Sequence, residues 1–157
     1  VLLASEGRMR AWLLLAAYQG LRCIEISRLR GRDVDAEMLR AHGKGDKERL
    51  VPLHPDTRDA LKGVAFTQPH PSGRLFPVGA SYVSSEGAEH MRRHGVEATM
   101  HQLRHRFGTQ LYRLTHDLVL VQEVMGHANM DTTRIYVQFA AEDARTAIAG
   151  MAGVEAA

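Results

Sequence analysis

Residues 37–53 read EMLRAHGKGDKERLVPL, and this stretch decides the fold class. Two runs, 37–42 and 48–53, have the length and mixed apolar–polar character of short strands. Between them stands Gly43-Lys44-Gly45-Asp46, whose glycines can take positive φ and turn the chain back on itself. The stretch therefore predicts a β-hairpin with a lysine at its tip. On either side the pattern is helical. Upstream, Met9, Trp12, Leu13, Ala16 and Ala17 recur at helical spacing and predict a helix with one apolar face, Ser5 as its cap and Gly20 as its end. A second short helix is expected over 24–29, stopped near Gly31. Downstream, Pro55-Asp56 opens a helix running to about residue 66. The prolines and glycines of 67–79 predict a loop. Helices follow at roughly 81–94, 101–114, 118–126 and 132–138, with a last, Ala-rich one over 141–151. The sum is a mostly α fold with one small antiparallel β-sheet, an α+β domain.

The 157 residues fit one domain, and a hydrophobic share of 45% is enough to bury a core. The formal net charge of +2 permits a nucleic-acid partner without demanding one. Arginines and lysines cluster at 22–32, 40–49, 92–93 and 104–113, and half of such runs are explained by solvated helix faces. The single cysteine, Cys23, excludes an intramolecular disulfide and a cysteine-based zinc site. It suits a reducing cytosol, so a cytoplasmic location is expected. The longest apolar run, 11–17, is far too short to cross a bilayer, and no membrane partner is expected. The chain begins at Val1 rather than Met, which predicts a fragment of a longer protein.

The residues with chemistry in them are weak signals one at a time. His101, Arg104 and His105 share one helix face by their spacing. A histidine pair at i, i+4 suggests zinc, but the residue after the first histidine is Gln102 where a zinc peptidase needs a glutamate base. The neighbouring arginine also repels a cation, so no metal is expected. Gly43-Lys44-Gly45 lacks the longer glycine spacing and the following Ser or Thr of a nucleotide-binding loop. Arg22 alone is a surface arginine, and Tyr136 alone a packed one. Taken together, two arginines, a lysine, several histidines and a tyrosine are an inventory for phosphoryl transfer without a metal. Arginine forks grip non-bridging oxygens, lysine and histidine move protons, and tyrosine can attack phosphorus and hold it covalently.

Five strings occur in order: GLRCIEI (20–26), HGKGDKERLVPL (42–53), HQLRHRFGTQL (101–111), DLVLVQEVMGH (117–127) and TTRIY (132–136). Together they closely resemble the signature of the tyrosine recombinases, the phage-integrase family. That family takes in phage and integron integrases and chromosome-dimer resolvases. The resemblance runs from about residue 4 to 140. It implies a catalytic domain that cleaves and rejoins double-stranded DNA through a covalent 3′-phosphotyrosyl intermediate. By the same resemblance Tyr136 is the nucleophile, and Arg22 and Arg104 clamp the scissile phosphate. Lys44 protonates the departing 5′ oxygen, His101 acts on the tyrosine proton, and His127 hydrogen-bonds a phosphate oxygen. Glu25 steadies the basic groups, and His105 is a supporting residue. Lys47 and Arg49, on the hairpin, are weaker candidates for contacts to DNA phosphates, with a solvated strand face as the competing reading. No metal and no cofactor are expected.

The resemblance further implies an N-terminal core-binding domain, which these 157 residues do not contain. It also implies a monomer alone and a tetramer on DNA. The segment 141–157 is read either as an oligomerisation tail, with Ile148, Met151 and Val154 as its stripe, or as a frayed end. A type IB topoisomerase, a telomere resolvase, a non-catalytic DNA-binding module and a helical metal-binding protein are the competing functions.

Overall fold

The computed structural model describes residues 1, 4–43, 47–65, 73–126, 145 and 148. Among the described residues six α-helices and one hairpin follow in order: α1 Gly7–Gln19, α2 Cys23–Arg28, β1 Met38–His42, β2 Glu48–Pro52, α3 Pro55–Ala65, α4 Ala80–Arg93, α5 Met100–Thr115 and α6 Leu118–Met125, with a 3-10 turn at Gly31–Asp33. The sequence-derived elements within these bounds are all present, shifted by a residue or two at their ends. The helix expected at 132–138 lies outside the described residues, as does most of 141–157.

α1 is the exception to its expected character. It is buried at every position from Ala11 to Ala17 rather than along one face. The reason is its place in the fold, since α3 and α5 both pack along it and α4 touches it as well. A helix surrounded in this way needs apolar residues all round, and the run WLLLAA supplies them. Trp12 sits in this core, with Phe76 and Tyr82 edge-on to its ring. Ser5 does not cap the helix. Its hydroxyl donates to the Val1 carbonyl and meets His90 Nε2 at 2.7 Å, so Glu6 occupies the cap position without a side-chain bond.

The helix ends as expected at Gly20, whose φ of 62° is left-handed. A Cβ there would lie 2.4 Å from the Phe107 ring of α5. Glycine is thus required twice, by backbone conformation and by the approach of α5.

The hairpin pairs Leu39 with Val51, Ala41 with Arg49 and His42 with Glu48. Leu39, Ala41 and Val51 are buried, so their face of the ribbon is turned inward. Period-two alternation places Arg49 on that same face. β2 packs against α6, and α2 against α4.

Candidate active site

A helix start places the first arginine. Arg22 occupies the N-cap of α2, and Glu25 at its third position accepts from the Arg22 backbone N–H at 2.7 Å. An acidic residue in the first turn also suits the positive end of the helix. The carboxylate then gathers guanidinium groups. Oε1 accepts from Arg22 Nη1 at 3.0 Å and from Arg49 Nη1 at 2.7 Å, while Oε2 accepts from Arg49 Nη2 at 2.9 Å. Arg104 Nη1 stands 3.8 Å from Oε2. One carboxylate with no exposed side-chain surface therefore faces three arginines. Burial alone would raise its pKa. The hydrogen bond and charge of Arg49, followed by the Arg22 backbone N–H and guanidinium, hold it below the usual carboxylate range.

The same arginines meet a second element. Arg49 Nε donates to the Val124 carbonyl at 2.7 Å, Arg104 Nη2 to the Met125 carbonyl at 2.7 Å, and Arg22 Nη2 to the Gly126 carbonyl at 3.1 Å. Three consecutive carbonyls at the end of α6 each take a different arginine. The last carbonyls of a helix form its negative end, so cations belong there. Arg104 also donates to the Gly20 carbonyl through Nη1, which ties α5 to the turn preceding Arg22. Side-chain exposure falls from 38% at Arg22 to 11% at Arg49 and 4% at Arg104, so Arg22 is the most open of the three.

α5 carries the histidines. Thr99 caps it, accepting from the Gln102 N–H at 3.2 Å, while Gln102 Oε1 accepts from the Thr99 N–H at 2.8 Å. This capping box fixes the first turn, on which exposed His101 stands. His101 and His105 meet Nε2 to Nε2 at 2.7 Å. One ring must donate and the other accept, so a single proton lies between them. Burial, then the charges of His101 and Arg104, depress the pKa of His105. Among the described residues no group of three or more His, Cys, Asp or Glu is placed to hold a metal.

The fold thus brings Arg22, Glu25 and Arg104 together, with His101 and His105 on the helix that carries Arg104. Lys44, His127 and Tyr136 lie outside the described residues. Lys47 is exposed at the turn end of the hairpin, its carbonyl accepting from the Gly43 N–H at 2.8 Å. Arg49, read from the sequence as a phosphate contact, has its guanidinium turned inward onto Glu25. Sequence reasoning missed this placement: Arg49 shares its parity with Val51, but that Val51 faces the core is known only from the structure. Arg92 and Arg93 are engaged with Glu89 on α4.

Comparison with known proteins gives a consistent answer. Residues 3–143 match the model of the phage integrase family. The tyrosine recombinase XerH of Campylobacter jejuni is 33% identical over 146 residues, covering 84% of this chain and 41% of the relative. The crystal structure of XerA recombinase superposes with a TM-score of 0.77 at 26% identity, over 92% of this chain and 59% of that one. The XerH site-specific recombinase bound to its difH substrate, in a pre-cleavage complex, gives 0.69 at 31% identity, over 82% and 42%. The chain spans about half the length of the curated relatives it matches.

Proposed function

The chain belongs to the phage integrase family, and from that premise we propose that it cleaves and rejoins double-stranded DNA in site-specific recombination, with Tyr136 as the nucleophile. The observation that carries this reading is the pair Arg22 and Arg104. They come from α2 and α5, separated by 82 positions in sequence, yet share the Glu25 carboxylate and the end of α6. Guanidinium groups fixed before substrate arrives can meet charge as it develops on a phosphate.

Tyrosine ordinarily ionises near pH 10, so presenting its oxyanion at neutral pH costs roughly 4 kcal/mol. Two positioned arginines reduce that cost only indirectly, by stabilising the pentacoordinate phosphate that the tyrosine creates. The phenol proton needs its own acceptor, a role assigned to His101. Attack by the Tyr136 oxygen forms the phosphotyrosyl bond and breaks the bond to the 5′ oxygen. Lys44 supplies the proton to that leaving oxygen, and His127 holds a non-bridging oxygen. Because the phosphodiester energy stays in the phosphotyrosyl bond, a 5′ hydroxyl can reverse the step without ATP. No metal takes part in this scheme. Assembly as a tetramer on DNA belongs to the same proposal.

The test is a nicked suicide duplex, incubated with the chain in EDTA and resolved on a denaturing gel. A covalent protein–DNA band is expected, and Tyr136→Phe should abolish it. A band that persists in the variant, or one that needs magnesium, overturns the reading.

A further inference from the structure

Arg49 has no role in the scheme above, yet all three nitrogens of its guanidinium are engaged. Two of its nitrogens grip both carboxylate oxygens, and the third donates to the Val124 carbonyl. The fit against α6 is close. A Cβ on Gly126 would come within 2.9 Å of Arg49 Nη1 and 3.0 Å of its Cδ. Arg49 therefore joins three elements at once: its own strand β2, the start of α2 and the end of α6.

We propose that Arg49 is a positioning residue for phosphoryl transfer, holding Glu25 so that Arg22 and Arg104 keep their geometry and the cluster its net positive charge. This rests on the phosphoryl-transfer reading. The argument is one of charge and of shape. Three guanidinium groups around one carboxylate leave two net positive charges. That matches a phosphodiester gaining its second negative charge as it becomes pentacoordinate. Without Arg49, one carboxylate would face two arginines and leave only one net positive charge. Glu25 would also be free to draw Arg22, the most exposed of the three, away from the phosphate. As for shape, Arg49 sets the distance between the hairpin and the α6 terminus, two residues before His127. Lysine would preserve the charge but lose the bidentate fork and the Nε donor.

The experiment uses this chain and Arg49→Met, Arg49→Lys and a core variant, Phe76→Leu, as a control for lowered stability. The probe is a nicked duplex recovered from a randomised pool by covalent capture on the chain. Arg49→Met is expected to slow covalent-complex formation at saturating DNA by about 100-fold. Its DNA Kd should stay within about threefold of the parent, because the loss falls on the transition state and not on binding. Arg49→Lys should recover part of the rate, and Phe76→Leu should keep it. In parallel, the Glu25 carboxyl is titrated by carbon-13 NMR, where its midpoint should rise in Arg49→Met. If that variant fails to fold, Arg49→Lys carries both measurements, with a smaller effect in the same direction. A rate in the Arg49 variants equal to the parent's, or a loss matched by Phe76→Leu, overturns the proposal. A parent that forms no covalent complex counts against the activity of this chain by itself and not against the role of Arg49. The Glu25 titration then decides Arg49 alone: an unmoved midpoint shows that Arg49 does not hold the carboxylate.

Discussion

Glu25 has no exposed side-chain surface and is ionised only because arginines surround it, and that leaves a signature in pH. Its folded pKa lies below the ordinary 4.5, with Arg49 and then Arg22 outweighing the effect of burial. In the unfolded chain the carboxyl returns to its ordinary value. The stability it contributes is therefore fully present above about pH 4.5 and is lost as pH falls through the depressed folded value. Glu25→Gln removes the charge while keeping the shape, and leaves buried guanidinium groups without their counter-ion. Breaking one side of a buried pair in this way costs about 3 kcal/mol. Thermal unfolding across a pH series should give Glu25→Gln a lower Tm at pH 7 and a shallower decline on the acid side. A variant as stable as the parent at pH 7 would mean that the carboxylate neither organises nor stabilises the arginines.

Among the elements, the turns into and out of helices do most to place the site, and they differ in how far the sequence announces them. Gly20 is legible as a helix end, but nothing in the sequence says that Phe107 will lie against it. Gly20→Ala forces a left-handed φ and an overlap with that ring. It is expected to destabilise by about 1–2 kcal/mol from the backbone and as much again from overpacking. It should also disturb Arg104, which donates to the Gly20 carbonyl. Gly63, within α3, is the converse case. A Cβ there meets nothing within 4 Å, so Gly63→Ala should stabilise by about 0.5–1 kcal/mol. Chemical denaturation of both variants checks the pair, and equal effects in the two would contradict the assigned geometry. The same contrast explains what could be read in advance. Helix and strand periods are local, so the hairpin and the helices from α1 to α6 were legible within a residue or two. The wrapping of α1 on all sides was not, because it depends on elements far along the chain. Arg22, Glu25 and Arg104 were legible through motif order. Arg49 was not, because an exposed strand arginine and a buried one look alike until the register is known. The coverage of Val124, Met125 and Gly126 by three arginines is entirely tertiary.

On the scale of the whole molecule, charge limits what this chain can do by itself. A net +2 spread over 157 residues is small for the proposed work on a polyanion. Several of its cations are also already committed, Arg49 and Arg104 to the interior, and Arg92 and Arg93 to Glu89. Affinity for DNA is mostly phosphate neutralisation and falls steeply with salt in proportion to the number of phosphates contacted. Few contacts give weak binding with a shallow salt slope. The curated relatives are about twice as long as this chain. On the DNA-cleaving reading, this chain alone is expected to bind duplexes with a Kd weaker than about 1 μM at physiological salt, with little preference among sequences. Fluorescence anisotropy across a salt series measures both quantities. A nanomolar complex restricted to one sequence would mean that these 157 residues already carry the base readout, and that the paired arginines leave more of the surface free for DNA than their engagement suggests.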